Sequence, residues 1–359
     1  MAKFTARRSK PELVAPAWAT PNERKYLSDI DNQPSLRFYA TFVEFFQPSS
    51  TFDGSRPSDP AKAIKSALAD ALVYYYPIAG RLTELPEGRL VVDCTAEGVV
   101  FVEADADVGL EELAYEALRD GNLGNDIMQS TPPGAMVGQY FLFGPTEISA
   151  MRSHLSAHLR QSSTIFELIS GAIWKCRTAA LDYSPGQLVR FMFTLNSRGK
   201  WKRNPPVPQG YYGCGLVLPV AETLVADLCG NPLEYAVQLV RKAKFNVTDE
   251  YIKSTVDMIA SRKWPSLVVD RTYVVSDITT IGEDKIDFGW GKRVGGGIPM
   301  AGDIMSKLLS YFMKCKNADG EDCVVVPMYL PSIIMDRFAT EISVWSRKQG
   351  NKFIVNAFN

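Results

Sequence analysis

Helix-period and strand-period segments alternate along the whole chain, which predicts an α/β fold. Its 359 residues exceed what one hydrophobic core ordinarily supports, so two domains are expected. With 46% hydrophobic and 22% charged residues, and neither an internal repeat nor a low-complexity block, the chain is globular rather than disordered or fibrous.

The elements follow in order. Asp59 and Pro60 supply an N-cap and a first-turn proline, and Ala61, Ile64, Leu68 and Leu72 continue at helical spacing until Tyr76-Pro77 stops them. Arg89 to Cys94 and Val99 to Glu103 are β-rich runs joined by Ala96-Glu97-Gly98, which predicts a hairpin. Between Glu111 and Pro145 the breakers Gly121, Gly124, Pro132, Pro133 and Gly134 predict a linker. Thr164-Ile165-Phe166-Glu167 is a capping box, followed by Phe166, Ile169, Ile173, Cys176 and Ala180 along one helical face. Leu233, Ala236 and Val240 mark one further helix, and Ile252, Val256 and Ile259 another. Val324 to Leu330 reads as a strand, and Ile334, Phe338, Ile342 and Trp345 form the stripe of a closing helix. Both halves are therefore expected to be mixed sheets covered by helices.

Lys+Arg 39 against Asp+Glu 40 leaves a net charge of -1, without the basic excess that phosphate neutralisation demands, so small-molecule partners are expected and nucleic acid is not. The segment from Met1 to Pro16 is basic but has no apolar run behind it, and no later stretch has the length of a membrane span. Cys94, Cys176, Cys214, Cys229, Cys315 and Cys323 are scattered without a C-x-x-C pair, which fits reduced thiols and a cytoplasmic location. Phosphate-loop, nucleophile-elbow and H-E-x-x-H motifs do not occur, which removes support for kinases, ATPases and serine hydrolases. Gly295-Gly296-Gly297 reads as a mobile loop.

Two motifs are long enough to be specific: Tyr76-Pro77-Ile78-Ala79-Gly80-Arg81-Leu82 and Asp287-Phe288-Gly289-Trp290-Gly291. Together they resemble the BAHD family, plant acyltransferases that move an acyl group from coenzyme A to an alcohol or amine. Asp29-x-Asp31, Asn196-x-Arg198, Tyr211-Tyr212-Gly213, Ser276-Asp277 and Leu330-Pro331 match in order, so the resemblance covers nearly the whole chain. In general look it is closest to the group of benzyl alcohol benzoyltransferases, taxoid acyltransferases and grass hydroxycinnamoyl transferases. Cys214 stands where relatives often carry Asn.

The resemblance implies two chloramphenicol-acetyltransferase-like halves, an acyl-coenzyme A donor, an alcohol or amine acceptor, no permanently bound cofactor, and a monomer. It also implies a general base, the His of an H-x-x-x-D motif, and that motif is absent. The only histidines, His154 and His158, are followed four positions on by His158 and Ser162, and lie on a segment, Glu147 to Arg160, downstream of the family's catalytic loop. The interval Ala104 to Tyr140 is shorter than in relatives by roughly eighty to a hundred residues, about a small domain's core, with the break near Leu113-Ala114-Tyr115. The expected division is therefore 1–113, a truncated N-terminal half; 114–161, a linker or crossover; and 162–359, the C-terminal half. No catalytic or metal residue is assigned, and the coenzyme-binding residues are unknown. His154 and His158 read as a solvated helix face rather than a metal pair, and Arg198 with Lys200, Trp201, Lys202 and Arg203 as a solvated loop rather than a phosphate cradle. Asp287, Phe288, Gly289, Trp290 and Gly291 are read as architectural, with Arg198 as the expected counter-charge of Asp287.

Overall fold

The computed structural model describes residues 5–37, 41–48, 59–109, 136–198, 205–261, 269–282, 285–298, 308–317 and 319–345. The N-terminal part contains β1 (Ala6–Arg8), β2 (Glu12–Val14), β3 (Arg24–Tyr26), β4 (Val43–Pro48), α1 (Pro60–Tyr74), β5 (Arg81–Glu84), β6 (Leu90–Asp93), β7 (Val99–Phe101) and β8 (Ala104–Ala106). As predicted, the Asp59 side chain accepts from the Ala61 and Lys62 amides and starts α1. The β-rich runs do not form the expected hairpin. β6 is held between β3 and β5, and β7 pairs with β2 instead. Ala96 and Gly98 take positive φ, the Gly98 amide bonds the Ala79 carbonyl, and Arg81 donates to the carbonyls of Gly80 and Gly98. These ties turn the chain away from β6 before β7 begins. Every ladder among the described N-terminal strands β1 to β3 and β5 to β8 is antiparallel, so the mixed sheet expected in this half is not seen there.

The second part contains β9 (Met136–Phe143), α2 (Pro145–Ser153), α3 (Ala157–Ser162), α4 (Ile165–Leu181), β10 (Leu188–Phe193), β11 (Leu195–Asn196), β12 (Leu216–Val217), β13 (Val220–Leu224), α5 (Val225–Gly230), α6 (Leu233–Phe245), α7 (Asp249–Ser261), β14 (Thr272–Asp277), β15 (Gly291–Gly297), β16 (Leu309–Lys316), β17 (Asp322–Pro331) and α8 (Ser332–Ile342). A six-stranded mixed sheet runs β13-β10-β14-β16-β17-β9, parallel where β14 meets β10 and β16 and antiparallel elsewhere. The Thr164 capping box forms as predicted and opens α4, in which 12 of 17 residues are buried. A helix buried on nearly every side is a core helix. α6 crosses it at Gly171, where a Cβ would lie 3.0 Å from Val237.

The segment 136–161, expected to belong to a linker, packs with this body. β9 pairs along its full length with β17, from Phe143 opposite Val324 to Met136 opposite Pro331, and Met136, Phe143, Ile148, Met151, Leu155 and Leu159 enter the large core. The breakers that suggested a linker lie at 121–134, outside the described residues. In the N-terminal part the corresponding cluster among the described residues is Val14, Leu72 and Ala79, flanked by Leu68, Ala69, Val99 and Phe101.

Candidate functional site at the junction of the two halves

The motifs scattered through the sequence converge where the two parts meet. Tyr76 to Ala79 form a 3-10 turn after α1 with Pro77 and Ala79 buried, and a Cβ on Gly80 would strike the Asp93 carbonyl at 2.3 Å. Only glycine passes there. The Tyr76 hydroxyl donates to Glu23 at 2.5 Å, Lys25 pairs with Glu23 at 3.1 Å, and the Lys25 ammonium lies 5.5 Å from the Tyr76 ring centre. The bond from Tyr76 holds the Glu23 carboxyl below its ordinary range and pushes the Tyr76 phenol up. Tyr75 meets Tyr212 edge-on at 6.1 Å, and burial pushes the Tyr212 phenol up.

Asp31 makes the main polar tie. One carboxylate oxygen accepts from the Cys214 amide at 2.8 Å and the other from the Ser28 hydroxyl at 2.6 Å, while Asp29 pairs with Arg89 at 3.2 Å. Cys214 contributes through its backbone, so replacing the family's Asn leaves this bond intact. Gly213 leaves room for the approach, since a Cβ would sit 2.5 Å from the Tyr211 hydroxyl and 2.8 Å from Asp31 Oδ2. β11 pairs with β12, and the Ser197 amide and hydroxyl both donate to the Gly215 carbonyl, which closes the loop between these strands.

The expected pair of Asp287 with Arg198 is not formed. Arg198 donates to the Gly213 carbonyl and stacks over Tyr211, 5.9 Å from its ring centre. Asp287 folds onto its own turn and accepts from the Gly289 amide at 2.7 Å. A two-residue reach costs less chain ordering than a distant partner, and the Asp287 side of the turn is exposed. Phe288 and Trp290 lean on Phe46 of β4, with centroids 5.4 and 5.7 Å away.

β15 then pairs antiparallel with β4, and Arg293 bonds Glu44 at 2.5 Å between side chains only 13% and 22% exposed. Gly295, Gly296 and Gly297 are thus ladder residues rather than a mobile loop. Sequence reading missed this contact, as it missed the Glu23–Tyr76 bond; no local spacing signals partners 249 and 53 residues away. Ser276 meets Thr194 at 3.0 Å, and Asp277 accepts from the Thr279 amide and hydroxyl at the end of β14.

The histidines are elsewhere. His154 caps α2 and lies edge-on to Trp345 at 4.7 Å, while His158 belongs to α3, so the two do not share the single helical face expected for them. Lys200 to Arg203 lie outside the described residues. Among the described residues no three His, Cys, Asp or Glu side chains are grouped to hold a metal, and no helix is long and apolar enough to cross a membrane. The junction gathers hydrogen-bonding phenols, carboxylates and cations. It supplies no imidazole.

The profile of a family described as the Transferase family matches residues 4–130 and 140–344. Acyl transferase 1 of Oryza sativa subsp. japonica is 39% identical over 476 residues, covering 97% of this chain and 98% of that protein. The chain belongs to the BAHD acyltransferase family. A second BAHD relative, benzyl alcohol O-benzoyltransferase of Petunia hybrida, is 36% identical over 435 residues, covering 94% of this chain and 93% of its own. Since 97% and 94% of 359 residues are about 348 and 337, roughly 128 and 98 positions of these alignments face a gap in this chain. The crystal structure of vinorine synthase shares the BAHD fold with a TM-score of 0.67 at 16% identity, covering 95% of this chain and 98% of that one.

Proposed function

We propose that this chain is an acyl-coenzyme A-dependent acyltransferase by descent that has lost the general base of its reaction. The inherited chemistry is transfer of an acyl group, benzoyl or hydroxycinnamoyl, from the thioester to a small alcohol or amine. The observation that carries this reading is the pair of histidines: the sequence holds two, neither begins H-x-x-x-D, and they lie at the end of α2 and on α3 rather than at the junction. Loss of a general base costs on the order of a hundred- to ten-thousand-fold in rate. The chain is then a non-catalytic or weakly catalytic relative, monomeric and cytoplasmic, with acyl-coenzyme A and the acceptor as its small-molecule ligands.

Loss of an internal segment near Leu113 to Tyr115 is part of this proposal. Its support is the excess length of the relatives' alignments, the small apolar cluster of the N-terminal part, and the exposed register partners Leu13 and Val100 on its β2–β7 ladder. The proposed division sets the C-terminal body at 136–345 instead of 162 onward, and assigns Asp287 to Gly291 the role of clamping β4. Purified protein given benzoyl-, acetyl- or p-coumaroyl-coenzyme A with mixed alcohol and amine acceptors should show no transfer above background. Robust turnover that survives combined His154→Ala and His158→Ala would identify another base and overturn the reading.

A further inference from the structure

Cys315 and Cys323 are direct register partners in the β16–β17 ladder, one pair from the turn that joins the strands. Directly opposed residues of an antiparallel pair share a face, with Cβ atoms about 4.5–5.5 Å apart. A disulfide needs Cα atoms about 4.4–6.8 Å apart, so small side-chain rotations close this gap without re-registering the strands. Both thiols are free. Phe312 and Val326 send their side chains into the helical core, so the cysteines, alternating with them, lie on the opposite face with Met313, which touches Gly297. Cys323 is 3% exposed and lies beneath Gly144, whose added Cβ would come within 3.0 Å of its sulfur; Cys315 is half-buried.

We infer that Cys315 and Cys323 are a modification site, closing a reversible cross-strand disulfide in the presence of a low-molecular-weight disulfide oxidant. The Cys315 thiolate attacks one sulfur of the oxidant and releases one thiol. The Cys323 thiolate then attacks the Cys315 sulfur and displaces the second. The two protein thiols lose two protons and two electrons, and the oxidant becomes two thiols. Burial pushes the Cys315 thiol up to about 12 and also raises Cys323, beside Glu147, Glu321 and Asp322, so closure is slow at neutral pH.

The test incubates the full chain with oxidised glutathione, alkylates it in denaturant and maps its peptides by mass. Free thiols should fall from the six in the sequence to four, with Cys315 linked to Cys323, and dithiothreitol should restore all six. The oxidised protein should unfold ~5 °C higher than the reduced one, and Cys315→Ser should abolish that rise. Six free thiols after oxidation, or glutathione held on Cys315 without closure, would each overturn the inference.

Discussion

Gly296 and Gly297 hold φ of +152° and +146°, and a Cβ on Gly296 would lie 2.5 Å from the Val43 carbonyl. Gly296→Ala should therefore lower stability by at least ~2 kcal/mol in urea unfolding, through backbone strain and a parted β4–β15 ladder. An unchanged midpoint would show that this ladder is dispensable. Burial also pushes the Cys176 thiol, the Cys315 thiol and the Tyr273 phenol up to about 12, from ordinary values of 9.0, 9.0 and 10.0. The fold favours their protonated forms. Their stabilisation is thus complete below about pH 9 and is lost as pH rises towards 12, since only the unfolded chain releases protons in that window. Urea unfolding followed from pH 7 to 11 should be level at first and then decline, and Cys176→Ala should reduce the decline by about 1.4 kcal/mol per pH unit. A slope that Cys176→Ala leaves untouched would mean that the thiol ionises equally in both states.

At the scale of elements, α4 depends on its first turn. Glu167, with its side chain 2% exposed, accepts from the Thr164 amide and from Lys244 at 2.9 Å, while Arg241 stands 3.5 Å away. Thr164→Ala should cost about 1 kcal/mol as a lost cap, and Glu167→Ala about 3 kcal/mol, because two half-shielded cations lose their counter-charge. Equal losses from both changes in chemical denaturation would reduce Glu167 to its capping role. The turn before β15 divides differently. Trp290 is 8% exposed against Phe46, so Trp290→Ala should cost about 3–4 kcal/mol, whereas Asp287→Ala removes one exposed turn bond and should cost about 1 kcal/mol or less. A larger loss from Asp287→Ala than from Trp290→Ala in thermal unfolding would reverse that assignment.

For the whole molecule, the large core begins at Met136, and the breaker-rich sequence Gly121 to Gly134 lies just before it. Limited proteolysis should cut first between Ala114 and Met136 and leave a resistant fragment that retains β9, because a cut inside β9 would strip the edge from the six-stranded sheet. A resistant fragment starting after Phe143, read by N-terminal sequencing, would show that β9 is not integral to that body. Inserting a family-type segment with H-x-x-x-D at Ala114 should suppress the cutting and restore acyl transfer. A restored protein that stays inert would separate the gap from the proposed loss of activity.

The sequence by itself determined the α/β class, the starts of α1 and α4, the β17–α8 ending and the family, because caps, apolar periods and contiguous motifs are local and each carries its own physical cause. It also showed that no H-x-x-x-D motif occurs among the 359 residues, since residue identity needs no coordinates. Tertiary structure decided the partners. Val99 to Phe101 have the same strand pattern beside β2 as they would have in a hairpin, and β9 pairs with β17, almost two hundred residues later. Arg198 chose the Gly213 carbonyl over Asp287, and Gly295 to Gly297 found β4. A strand's period fixes which faces are apolar, but its edge bonds are chemically alike along every strand, so pairing is settled only when the competing edges are brought together in space.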